Sequence, residues 1–144
     1  IPVHINGRTC DMDKLCSIAE KHGLKIIEDA AQGFGAKFNG RSAGTFGMAG
    51  TYSFYPAKTL GCFGDGGAIV TNHDDIAYKI GLLRDHGRDE SGNVVAWGLN
   101  SRLDNLQAAV LDFKLKFYNE DIKRRREIAS LYHTGLSAVK QLLL

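Results

Sequence analysis

The chain has 144 residues, 44% of them hydrophobic, and a formal net charge of +2. That length suits a single domain with a real core, and so weak a charge argues against nucleic acid or a membrane surface as partner. Three cysteines (Cys10, Cys16 and Cys62) without a Cys-x-x-Cys spacing offer neither a disulfide framework nor a zinc site, and a reducing cytoplasm fits them best.

The start, Ile-Pro-Val-His, has no charged leader and no initial methionine, as expected of a segment cut from something longer. Residues 1–6 read as a short strand. Met12, Leu15, Cys16 and Ala19 recur at helical spacing, with Thr9 or Asp11 as N-cap and Gly23 as the stop. Leu24–Glu28 is a β-branched run ending at Asp29, so strand, helix and strand follow one another as in a parallel α/β unit. Glycines crowd residues 33–50, and Asn39-Gly40 predicts a tight turn. Tyr52–Tyr55 reads as a strand closed by Pro56, and Gly66–Thr71 as another.

Asn72 is the expected cap of a helix with Asp74 and Asp75 in its first turn, Ile76, Ile80 and Leu83 on its apolar face, and Gly87 as its end. After a polar loop, a long helix carries the stripe Leu103, Leu106, Val110, Phe113 and Phe117. Asn119-Glu-Asp121 interrupts or restarts it, and helix continues from Ile122 to about Tyr132. The run Lys123-Arg-Arg-Arg126, flanked by Glu120, Asp121 and Glu127, reads as a solvated helix face. No stretch of about 18 apolar residues marks a membrane span.

Few residues carry chemistry by type and place. Asp29, at the C-terminal end of a central strand, sits where open α/β sheets hold ligands; it could hold a positive charge there, or simply cap a helix. Gln32 shares a helical face with it. Lys58, among small and aromatic residues, could be an imine-forming nucleophile once desolvated, or a lysine snorkelling from a loop. Ser53, in the preceding strand, could donate to a phosphate. Gly64-Asp-Gly-Gly67 matches neither the Rossmann nor the Walker pattern and reads as a turn allowing close backbone approach. The five histidines lack paired ligand spacing and read as surface or packing residues, so no metal is expected.

Together, Glu28-Asp-Ala-Ala-Gln32, Ser53-Phe-Tyr-Pro-Ala-Lys58, Gly64-Asp-Gly-Gly67 and Gly98-Leu-Asn-Ser-Arg-Leu-Asp-Asn-Leu-Gln-Ala-Ala109 stand in an order and spacing that resemble the DegT/DnrJ/EryC1/StrS family. These are sugar aminotransferases dependent on pyridoxal 5′-phosphate (PLP). The resemblance implies an α/β fold, part of the large domain of a fold-type I PLP-dependent transferase, with a mostly parallel sheet flanked by helices. It implies that Lys58 carries PLP as an internal imine and moves the substrate proton. Asp29 would pair with the pyridinium nitrogen, Gln32 would lie by the ring and its phenolic oxygen, and Ser53 would donate to the phosphate. Asn100 would reach the phosphate of a neighbouring subunit, which implies a homodimer with shared sites.

The implied reaction transfers an amino group, usually from L-glutamate, to a keto sugar carried on a nucleotide. Lysine rather than histidine at position 58 favours transamination over dehydration, and the wording around it looks more like members acting on 3-keto than on 4-keto sugars. The family's chains are much longer. Residues 1–118 are therefore expected to form a partial PLP-binding large domain, and residues 119–144 a helical connection toward a missing small domain. A catalytically inactive remnant serving as an oligomerising or scaffold domain is the alternative, and a non-catalytic nucleotide-binding module a more distant one.

Overall fold

The structure, a computed structural model, describes residues 1–142. Its centre is a three-stranded sheet in the order β1 (Ile27–Asp29), β4 (Ala49–Ser53), β5 (Gly67–Val70). β1 and β4 run parallel, with Asp29 opposite Thr51, whereas β5 folds back antiparallel on β4, with Gly67 opposite Ser53. Val3 adds a parallel bridge to Asp29 on the outer side of β1. The expected N-terminal strand shrinks to that bridge, because the chain turns at once into a 3-10 turn over Ile5–Gly7. There Asn6 and Gly7 adopt positive φ (54° and 76°), which no strand can accommodate.

Between β1 and β4 lies a small hairpin, β2 (Lys37–Phe38) with β3 (Arg41–Ser42). Its loop is Asn39-Gly40, both at positive φ (49° and 81°), as the primed turns of two-residue hairpins demand. The glycines nearby permit close backbone packing. A Cβ on Gly50 would stand 2.0 Å from the Gly44 carbonyl oxygen, so β4 can lie on the 43–47 loop only as glycine.

Four α-helices complete the described residues: α1 (Met12–Lys21), α2 (Asp74–Arg84), α3 (Asn105–Leu115) and α4 (Tyr118–Leu136). Asp11 caps α1 by accepting from the Lys14 N–H, and Met12 and Ala19 are its buried contacts. α2 starts one residue later than expected. Asn72 is not its cap; the N-cap is His73, whose own N–H donates to the Thr71 hydroxyl, so the threonine organises that turn. The α3–α4 break falls at Lys116–Phe117, ahead of the expected Asn119–Asp121.

The expected α3 stripe also needs correction. Leu106, Phe113 and Phe117 are exposed, and the face turned inward carries Gln107, Leu111 and Lys114 and continues to Tyr118. Leu111 and Tyr118 join Leu60 and Cys62 in a small core, against which Phe34, Phe54, Leu103, Val110 and Ile122 pack. Arg124 and Glu127 form an exposed pair at 3.3 Å on α4, in keeping with a solvated face. Residues 143–144, the end of the expected helical connection, lie outside the described residues.

Candidate functional site

The site is built on the C-terminal ends of β1 and β4. Side chains alternate along a strand, and residues paired in register share a face. Asp29 and its partner Thr51 therefore point to one face, and Ser53, two residues on, points the same way. The backbone of Asp29 is gripped from outside, where its N–H donates to the Pro2 carbonyl (2.9 Å) and its carbonyl accepts from the His4 N–H (3.0 Å).

Asp29, Gln32, Ser53 and Asn100 each have one end of the side chain tied and the complementary end unpaired among the described residues. The half-buried Asp29 uses Oδ1 to accept from the Ala31 N–H (3.0 Å), leaving Oδ2 as an acceptor. Gln32 uses Oε1 to accept from the Asn6 N–H (2.6 Å), which assigns the amide orientation and leaves both Nε2 protons as donors. Ser53 Oγ accepts from the Tyr55 N–H (3.3 Å), so its own hydroxyl proton is unspent. Asn100 Oδ1 accepts from Arg102 Nε (3.0 Å), again leaving an NH₂.

Lys58 follows β4 in a turn closed by its N–H on the Tyr55 carbonyl (2.9 Å). It is half-buried, and its ammonium takes part in no ion pair among the described residues. Asn100 stands apart from the other four. It bridges Asp85, just past the end of α2, and no sheet register connects it to Asp29 or Ser53.

Two neighbours of this site were not singled out in the sequence as a pair. Glu28 and His4 are both 0% exposed, and His4 Nε2 meets Glu28 Oε2 at 2.9 Å. His4 Nδ1 accepts from the Cys10 N–H (3.2 Å), so the ring proton sits on Nε2 and is donated to the carboxylate. Glu28 also accepts from the N–H groups of Gly44 (2.7 Å), Phe46 (2.5 Å) and Gly47 (2.6 Å), which fastens that loop to the reverse side of β1. A carboxylate next in sequence to Asp29 was visible, but nothing in the sequence said that it would be consumed by backbone donors.

Tyr52, on the same reverse face, donates its hydroxyl to the Ala43 carbonyl. Burial pushes its pKa up, and the negative charge of Glu28 pushes the same way. The three cysteines are free, and no group of His, Cys, Asp or Glu among the described residues could hold a metal ion. A cleft of about 670 Å³ is lined by Thr51, Tyr52, Asp65, Ile69, Arg84 and Arg102 among others, and none of the five candidates lines it. It lies against β4, β5 and α2 and borders the candidate face at Thr51.

The fold is that of a piece of the large domain of a fold-type I PLP-dependent transferase. Its whole length, residues 1–144, matches the model of the DegT/DnrJ/EryC1/StrS aminotransferase family, and the chain belongs to that family. The family and its solved members depend on PLP. The dTDP-3-amino-3,4,6-trideoxy-alpha-D-glucose transaminase of Streptomyces venezuelae is 44% identical over 139 residues, covering 96% of this chain and 37% of the relative. A crystal structure of a DegT DnrJ EryC1 StrS aminotransferase from Brucella abortus superimposes with a TM-score of 0.91 at 43% identity, over 95% of this chain and 37% of that one. NtdA from Bacillus subtilis, solved with bound cofactor PMP, superimposes with a TM-score of 0.86 at 34% identity, over 96% and 32%. The chain thus spans about a third of the length of these relatives.

Proposed function

We propose that this chain is the cofactor-binding centre of a nucleotide-sugar aminotransferase. The observation that carries this reading is the set of unpaired ends on one end of the sheet. A free carboxylate oxygen at Asp29, an amide donor at Gln32, a hydroxyl proton at Ser53 and an unpaired amine at Lys58 match, in type, the protonated ring nitrogen, phenolic oxygen, phosphate and aldehyde of PLP. PLP, when bound, supplies an electron sink for the bond broken at the amino-bearing carbon.

The residues act around it. The Asp29 carboxylate keeps a proton on the ring nitrogen. Ser53 and the Gln32 amide orient the phosphate and phenolic oxygen. Lys58 Nζ would hold the group through its aldehyde and, as a neutral amine, would serve as the acid–base for the substrate proton. Asn100 serves the phosphate of a second copy, which makes the working unit a homodimer. The acceptor is a keto sugar on a nucleotide, with the amino group at C3 by likeness to the S. venezuelae transaminase, and the donor is L-glutamate. The working compartment is the cytoplasm, and no helix among the described residues is long and apolar enough to cross a membrane. In this reading residues 1–118 form the cofactor-binding part, and residues 119–144 lead to a further domain.

Reconstitution with PLP, borohydride reduction and peptide mapping tests the reading. A single pyridoxyl label on Lys58, absent after Lys58→Ala, is the expected result. Labels scattered over exposed lysines such as Lys37 and Lys140 refute it. A second reading, a catalytically inactive oligomerising domain, draws on the surface. The exposed area is 10570 Å², against about 7300 Å² for a compact monomer of this length. Trp97 is 99% exposed, beside exposed Val94, Val95 and Leu99. Labelling distinguishes the two readings, since both require self-association and this one requires it without any labelling at Lys58.

A further inference from the structure

Resting on the proposed role of Lys58, we infer that Gln107 is a positioning residue for that lysine, acting through the loop between β4 and β5. The base of the loop closes on itself. The Phe54 N–H donates to the Gly66 carbonyl (2.7 Å), the Cys62 N–H to the Phe54 carbonyl (2.9 Å), and the Cys62 thiol lies on the Phe54 and Gly64 carbonyls (3.0 and 3.1 Å). The outer part, from Thr59 to Gly64, takes its side-chain bonds from one helical face. Gln107 Oε1 accepts from both the Phe63 and Gly64 N–H groups (2.9 and 3.1 Å). Lys114 Nζ donates to the Gly61 carbonyl (2.6 Å).

Tyr118 completes the row. A carbonyl can only accept, so the Tyr118 hydroxyl proton goes to Phe34 (2.7 Å), and the Thr59 hydroxyl, at 3.2 Å, donates to the Tyr118 oxygen. Residues 107, 111 and 114 repeat at steps of four and three, the spacing of one face of α3, and Tyr118 continues that row four residues on at the start of α4, across Lys116 and Phe117, which keep right-handed helical backbone. That face carries buried Leu111 between its polar members. It therefore fixes the segment next to Lys58 and, through Phe34, the turn that follows Asp29 and Gln32.

Gln107 is the member whose contribution can be isolated, because only its oxygen is used. Its Nε2 has no hydrogen-bond partner among the described residues. Gln107→Glu retains an oxygen for both backbone donors, whereas Gln107→Leu keeps the bulk and removes the acceptor. The 144-residue chain and both variants are compared by amide hydrogen exchange without cofactor and by trapping with PLP and borohydride. In the trapping reaction the Lys58 amine adds to the PLP aldehyde with loss of water, and borohydride delivers hydride to the resulting C=N bond, leaving a stable amine.

The label on Lys58 is read relative to that on exposed Lys37, which corrects for general loss of fold. Gln107→Leu is expected to speed exchange of the Phe63 and Gly64 amides about tenfold or more and to lower the Lys58-to-Lys37 ratio about tenfold. Exchange along β1 stays unchanged, and Gln107→Glu stays within about twofold of the parent on both readouts. Normal labelling of Lys58 in Gln107→Leu, or a loss in Gln107→Glu as large as in Gln107→Leu, overturns the inference. An unlabelled parent chain removes the role of Lys58 itself and the inference with it, a result distinguishable from either of those.

Discussion

Replacing Glu28 by glutamine changes one atom and keeps the shape, yet it should be among the most damaging substitutions in the chain. The carboxylate accepts four hydrogen bonds, two on each oxygen: His4 Nε2 and the Gly44 N–H on Oε2, and the Phe46 and Gly47 N–H groups on Oε1. An amide has one carbonyl oxygen and one NH₂, so either orientation sets the nitrogen against two donors. The backbone donors cannot be reversed, and moving the His4 proton to Nδ1 would orphan the Cys10 N–H.

Two buried donors left without acceptors cost about 1–3 kcal/mol each, or about 2–6 kcal/mol in all, against a total stability of about 5–15 kcal/mol for a domain. Urea unfolding of the cofactor-free chain measures the loss as a fall in midpoint at unchanged slope. Asp29→Asn is the control, since its one side-chain tie among the described residues, the Ala31 N–H on Oδ1, survives as a bond to the amide oxygen, and it should cost less than about 1 kcal/mol. A Glu28→Gln loss as small as that of the control would refute the assignment of Glu28 as the acceptor that fastens the 43–47 loop.

Stability at alkaline pH should depend on two tyrosines. Burial raises the pKa of Tyr118 and, with the charge of Glu28, that of Tyr52. The folded chain thus holds these protons more tightly than the unfolded one, so their contribution is complete below about pH 10 and is lost as pH rises through the folded values. Tyr118→Phe should flatten the alkaline fall in Tm, and a fall identical to the parent's would count against the burial. Gly44→Ala meets two obstacles, φ of +86° and a Cβ 2.7 Å from the Tyr52 hydroxyl, whereas Gly40→Ala, at φ +81°, has nothing within 4 Å. Both pay about 1–2 kcal/mol for the left-handed backbone. Only the first adds a clash, so equal Tm losses would show that Tyr52 is not seated as described.

Local chemistry was the legible part of the sequence. Asn39-Gly40 predicted its tight turn, and Asp11 was one of the two caps expected beside Thr9, because each acts within a few residues of itself. The strand lengths were not legible. Ile27–Asp29 is shorter than its β-branched run, since pairing with β4 sets its extent. The face of α3 was misjudged because apolar residues were assumed to point inward. Phe113, 62% exposed, turns out while Gln107 and Lys114 turn in, held by carbonyl and amide groups of a loop some 44 and 53 positions away. Period alone carries no information about such partners. The candidates Asp29, Gln32, Ser53 and Lys58 were legible as types in a pattern. What the sequence could not express is which end of each side chain would be spent.

The pair Glu28-Asp29 makes that distinction physical. Both are carboxylates on one short strand, and residue type does not separate a structural acceptor from a chemical one. Alternation does. Glu28 turns to the side where the 43–47 loop presents three N–H groups and His4 a fourth, and its charge is satisfied within the chain. Asp29, one residue on, turns to the face it shares with Thr51 and Ser53, where a single N–H meets it and one oxygen is left over. A slip of one residue in the β1–β4 register would exchange their roles, burying the aspartate with too short a side chain and exposing the glutamate. The His4 and Pro2 contacts to the backbone of Asp29 oppose that slip. The buried polar network is thus a register lock: it spends one carboxylate so that the other is presented unspent at the strand end.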